Sequence, residues 1–232
     1  MRLAPGDVVL PSRHIWLDRL RLPLCYLLAL DSDPLRLARV LAGLMPAQPE
    51  VLGLQALLEI QASRSAARTD AQGRPVLLEQ QDRARWDRLL IHRGLAGLKR
   101  IDALGTEPGA YAMQARLAAH HARAATWEAT DWRGIAADYD TLARAAPSPI
   151  VELNRAVAHG MAFGPEAGLR LLDALADSPA LKTYAPLPAA RGDCLLRAGR
   201  VLEAKDQFIR AAELATNGRE RDFLLGRARD CA

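Results

Sequence analysis

Between Pro188 and Thr216 small and large residues alternate in a way that a pair of helices can use and a strand cannot. Gly192 and Leu195 come first, then Gly199, then Ala204, Phe208 and Ala211. Steps of three and four residues put each set on one helical face, and Gly199 between the sets is the residue type that ends a helix. The small residues let two backbones approach, and Phe208 is large enough to fill what remains. Such a hairpin has an apolar outer side that only another helix pair can cover, so the feature constrains its neighbours as well as itself.

The rest of the chain supplies those neighbours. Half of the residues are apolar but only 5% are aromatic, and Ala and Leu dominate, which favours helices over strands. A first helix is predicted from Asp33-Pro34, where Asp caps and Pro suits the first turn, to Pro46, with Leu37, Val40, Leu41 and Leu44 as its apolar face. A second begins near Pro49-Glu50 and carries Leu54, Leu57, Leu58 and Ala62. The turn-forming stretch 69–75 follows it as a polar loop. A third is predicted from Glu79 or Asp82 to Leu104, carrying Trp86, Leu89, Leu90 and Leu98 and capped by Gly105. Further helices are expected at 109–125, 131–145, 150–162, 165–177, 187–198, 202–216 and 219–230.

These pairs echo one another. The 188–216 hairpin resembles the tetratricopeptide pattern, and the pair before it sets Ala156 and Gly168 at the same twelve-residue interval, with Leu172 in place of Phe208. Ile135, Tyr139 and Leu142, followed by Pro147, read as another second helix; Pro49-x-x-Leu52-Gly53 echoes a first. The expected fold class is therefore all-α: about ten helices, in antiparallel pairs stacked as a tetratricopeptide-like (TPR-like) repeat. The chain divides into an atypical leader, 1–30, a helical segment, 31–105, and repeats over 106–232 closed by a polar capping helix from Arg219 to Asp230.

The formal charge is +4 and the isoelectric point is near 9.2, but both signs are spread along the chain, so the excess serves solubility. Of 31 basic residues only Lys99, Lys182 and Lys205 are Lys, and no helix-turn-helix or RNP motif is present. Direct contact with nucleic acid is not expected. Cys25, Cys194 and Cys231 lack any C-x-x-C spacing and read as free thiols in a reducing cytoplasm. The apolar run Leu22–Leu30 follows Arg19 and Arg21. Its nine residues are too short to span a bilayer, and no small-x-small cleavage site follows, so it reads as a core or interface helix.

No arrangement of residues announces catalysis. His14, His92, His120, His121 and His159 show no metal-ligand spacing, and the adjacent pair His120 and His121 would point about 100° apart on a helix. They read as surface or interface histidines. Nucleophile elbows, phosphate loops and dinucleotide fingerprints are absent from the sequence. The expectation is a protein that is not an enzyme and needs no cofactor and no metal.

One stretch, from Arg64 to Asp87, is unusually polar. It holds Arg64, Arg68, Asp70, Glu79, Gln80, Asp82, Arg83, Trp86 and Asp87. One reading is a solvated loop and helix start, with Asp82 favourable to the dipole of the third helix and Trp86 in the core. The other is an internal polar network or a docking surface anchored by Arg and Trp.

Several words in order resemble a single family: Pro49-Glu-Val-Leu-Gly-Leu54; Ala67-Arg-Thr-Asp70; Leu77-Leu-Glu-Gln-Gln-Asp-Arg83 with Trp86-Asp87; Thr130-Asp-Trp132 with Ile135 and Tyr139-Asp140; and Ser148-Pro-Ile-Val151 with Leu153-Asn-Arg-Ala-Val-Ala158. Together they resemble the TPR-like C-terminal extension of extracytoplasmic-function RNA polymerase sigma factors, over roughly Leu35 to Arg229. In that family sigma domains engage core polymerase and promoter DNA, and the helical tail controls or supports them. Residues 1–30 do not resemble the promoter-reading segments, so no DNA-contact residue is carried over.

The resemblance implies a regulatory protein-interaction module, either a piece of a longer sigma factor or a free-standing relative, with sigma domains or core RNA polymerase as partner. The repeats alone would equally suit a stand-alone adaptor for a peptide or protein unrelated to transcription. A small-molecule sensor or enzyme using a pocket near Arg64–Asp87 is a third reading. The oligomeric state is left open.

Overall fold

The computed structural model describes residues 33–71 and 76–231. The leader 1–30, with Cys25 and the run Leu22–Leu30, lies outside the described residues, as do residues 72–75 of the polar loop. Among the described residues there are ten α-helices and no strand, and the helices pack in consecutive pairs, as in a helical repeat. None of them is long and apolar enough to cross a membrane. The chain forms two compact units that meet in sequence at Ala146 and Pro147. The sequence-based division at 105/106 runs instead between two helices that both pack on a third.

In the unit ending at Ala146 the helices are α1 (Pro34–Leu44), α2 (Pro49–Ala62), α3 (Arg88–Ala103), α4 (Ala110–Arg123) and α5 (Trp132–Ala145). Helix α2 is the hub, packed against α1, α3 and α4. Being apolar on every side, it is suited to burial all round. Gly53 lies so close to the α4 backbone that a Cβ there would sit 2.5 Å from the Ala112 nitrogen. On α3, Gly94 and Gly97 face Ile60 and Ala56 in the same manner. Small residues at these contacts set the helix spacing, and Leu52, Ile60, Leu98 and Ile101 fill the remaining space.

Three details differ from the periodicity reading. Helix α1 buries Ala38 and Ala42, while Leu37, Val40 and Leu44 are 42%, 51% and 75% exposed. Its docked face is the one carrying Arg39, whose guanidinium forms a two-point ion pair with Glu59 of α2, and small residues are needed beside that bond. In α2, Leu52, Gly53, Ala56 and Ile60 are buried more deeply than the predicted Leu54, Leu58 and Ala62. The third helix begins at Arg88, not at Glu79 or Asp82. Residues 78–80 and 83–85 form two separate 3-10 turns, and Arg83 and Trp86 are both buried.

The unit Pro147–Ala232 contains α6 (Pro149–Phe163), α7 (Pro165–Asp173), α8 (Pro186–Arg197), α9 (Val201–Leu214) and α10 (Gly218–Arg229). Each packs on the next, although twelve residues with a 3-10 turn at Pro179–Leu181 separate α7 from α8. At the α8–α9 turn Gly199 has φ +76°, the Arg200 amide donates to the Leu195 carbonyl (2.9 Å) and the Gly199 amide to Leu196 (3.1 Å). These two bonds and the left-handed glycine form a Schellman stop.

Gly192, Leu195, Ala204, Phe208 and Ala211 are all buried, and a Cβ on Gly192 would meet the Phe208 ring at 2.8 Å. Ring and missing methyl are complementary. Helix α10 closes the other side, placing Arg227 over the Phe208 ring at 4.6 Å and pairing it with Asp193 at 2.8 Å. In the preceding pair Gly160 and Gly168 abut, with the buried Cys194 thiol against both.

Candidate functional site

The polar stretch Arg64–Asp87 folds back along α2 and α4, and its members separate into two groups. Arg83 and Trp86 are buried, at 6% and 3% exposure. Arg64, Arg68, Asp70 and Glu79 are half-buried, whereas Gln80, Asp82 and Asp87 are exposed. The carboxylates of Asp82 and Asp87 are caps: Asp82 accepts from the Ala84 amide of a 3-10 turn, and Asp87 accepts from Leu89 and Leu90 at the start of α3. Asp87 therefore holds the position that the periodicity reading gave to Asp82.

Arg83 is the centre of the arrangement. Its guanidinium donates to the backbone carbonyls of His121 and, at 3.0 Å, Ala124, and reaches the Thr130 hydroxyl at 3.4 Å. These carbonyls belong to the last turn of α4 and the residue beyond it, which the helix itself leaves without partners. A buried cation there also meets the negative end of the helix dipole. Burial pulls the Arg83 pKa down from its ordinary value. The group is still charged at physiological pH, because guanidinium does not deprotonate in proteins.

The opposite end of α4 is closed by a remote side chain of opposite sign. Glu50, in the first turn of α2, accepts from the Tyr111 and Ala112 amides at 3.1 and 3.3 Å. The α4 N-cap, Gly109, offers no side chain of its own and packs against Glu50. Helix α4 is thus held at both ends by charges from elsewhere in the chain, each matched to the dipole.

Around Arg83 lies an aromatic layer. Its guanidinium and that of Arg64 sit over the Trp86 ring at 4.8 and 5.4 Å. Beyond it, His121 stacks on Trp127 at 5.9 Å, and Trp132 meets both rings edge-on at 5.3 and 4.8 Å. His121 is 4% exposed, so it belongs to this core and not to the surface, correcting the sequence-based expectation. Its neighbour His120 turns toward α5 and bonds to Asp138 at 2.9 Å. Arg68 donates to the Gln61 side chain, and Gln81 bridges Arg64 and the Val76 carbonyl.

The segment therefore works as an internal brace. His121 and Trp127 adjoin it, and Glu50 and the Arg39–Glu59 pair fix other contacts of the same unit; the periodicity reading gave none of them such a role. Glu59 carried a usable signal: a carboxylate between Leu58 and Ile60 in a mostly apolar helix needs a cationic partner to be buried. Glu50 and His121 carried none, since the groups they meet are 38 to 62 residues away.

Among the described residues no group of three or more His, Cys, Asp or Glu side chains is placed to hold a metal ion. The Cys194 thiol is pushed up by burial, with Arg197 opposing the shift only in part.

Residues 27–102 match the model of a family of unknown function, DUF6596. The chain is 45% identical over 195 residues to an uncharacterized protein of Rhizobium meliloti (strain 1021), a match covering 84% of this chain and 45% of the relative. The chain thus spans less than half the length of the curated relative it matches. No solved structure matches.

Proposed function

We propose that this chain is a non-catalytic docking module of an extracytoplasmic-function sigma-factor system, acting in the cytoplasm through contact with sigma domains or core RNA polymerase. The observation that carries the reading is the ordered set of family words from Pro49 to Ala158 on a scaffold of paired helices. Those words coincide largely with the brace: Arg83, Trp86 and Thr130 surround the end of α4, and Arg68 bonds back to α2.

The matched relative has more than half of its length outside the matched region, which leaves space there for promoter-reading domains. The test is a pull-down of the full chain against purified sigma domains and core polymerase. Retention of either at micromolar concentration is the expected result. Recovery of neither would overturn the polymerase reading and leave an adaptor for an unrelated protein.

A further inference from the structure

We propose that the groove between α7, α8 and α9 is a docking site for an acidic segment of a partner protein, one of whose apolar side chains sits on the groove floor. The groove encloses about 240 Å³ and lies wholly within the unit Pro147–Ala232. Leu181, Leu187 and Leu214 supply an apolar base, and Leu181 is 1% exposed.

The rim gives the sign of the occupant. Its ionisable side chains are Asp173, Lys182, Arg191 and Arg210. Asp173 is already paired with Arg191. Lys182 and Arg210 are exposed, and neither has a hydrogen-bond or ion-pair partner among the described residues. Arg227 in the same unit, by contrast, is committed to Asp193. Two uncommitted cations flank an apolar floor, so the complementary ligand carries carboxylates on either side of an apolar anchor.

Size and lining decide the class. Pockets for drug-sized ligands enclose about 300–1,000 Å³ and bury most of the ligand, and this groove is smaller and open. It suits one or two side chains of a chain that continues past it. Gln207 on the wall offers amide groups that can meet a peptide bond. Single-stranded nucleic acid would want aromatic platforms for its bases, and no aromatic residue lines the groove.

This inference goes beyond the proposed sigma-system role, because it holds whichever protein carries the segment. The test pans a random twelve-residue peptide display library on the immobilised full chain and on a Lys182→Glu, Arg210→Glu double variant, whose changes are at exposed positions. The expected result is an enriched consensus with acidic residues around one Leu, Ile or Met. A synthetic peptide of that consensus should bind the double variant at least about tenfold more weakly and should lose affinity as salt rises.

The absence of a consensus, a consensus without acidic residues, or one kept by the double variant would overturn the proposal. So would binding of a single-stranded oligonucleotide that the double variant abolishes. Panning can fail while the polymerase pull-down succeeds through another face, and the reverse, so the two readings fall separately.

Discussion

The two units reach compactness by different means. In Pro147–Ala232 the contacts are made by shape: Gly192 against Phe208, Gly160 against Gly168, and a left-handed Gly199 that turns the chain. In the unit ending at Ala146, shape sets only the α2–α3 and α2–α4 contacts. Helix α4 is then fixed by Glu50 at one end and Arg83 at the other, and α1 by the Arg39–Glu59 pair. Apolar complementarity tolerates a missing partner by leaving a cavity. A buried charge does not, because an unpaired charge or carbonyl costs more than the bond itself returns. The braced unit should therefore be stiffer in its geometry and less tolerant of polar substitutions.

Phe208→Ala gives the largest expected effect, a loss of about 3–5 kcal/mol, since the ring is 1% exposed and Gly192 cannot fill the space it leaves. Hydrogen exchange by mass spectrometry on the full chain should show faster exchange across α8 and α9 and little change in α2 to α4. A loss under about 0.5 kcal/mol would remove shape complementarity as the principle of that unit.

Arg83→Met is next, at about 3 kcal/mol, because it strands the carbonyls of His121 and Ala124 in the interior. Faster exchange should appear in α4 and leave α8 and α9 unchanged. If Met were neutral, the brace would be no more than packing, and the contrast between the units would collapse.

The smallest effect is a pH dependence that separates the units by window. Burial raises the pKa of the Cys194 thiol, so its folded form holds the proton more tightly than the unfolded chain does. The resulting stability is fully present below about pH 8.5 and is lost as pH rises through the folded value. In the other unit burial raises the Tyr139 phenol well above its ordinary range, so its loss begins only above about pH 10. Urea midpoints between pH 7.5 and 9.5 should fall for the wild type and stay flat for Cys194→Ala, whatever the variant's starting stability. Equal slopes would take Cys194 out of the account.

How much was legible in advance differs between the units for the same reason. The α8–α9 hairpin could be read residue by residue, from Gly192 to Ala211, because its contacts lie within a few turns of chain on either side of Gly199. The helix count and the all-α class followed from periodicity, caps and breakers, which act locally. The faces of α1 and α2 were misjudged because an apolar stripe shows what a helix could bury, not which neighbour arrives. For α1 the arriving neighbour was Glu59, and it selected the face with Arg39 over the stripe with Leu37, Val40 and Leu44.

The polar stretch shows the same division. Its residue types marked Arg64–Asp87 as unusual, and its family words pointed to a sigma-factor tail as the proposed context. Only the tertiary structure decided that Arg83 and Trp86 face inward, that Asp87 and not Asp82 caps α3, and that Lys182 and Arg210 flank an apolar groove. Local sequence determines where helices start, stop and turn, because those energies are set within a few residues. Which charge meets which helix end across 38 to 62 residues depends on the packed arrangement of the whole unit, and no window of sequence contains that information.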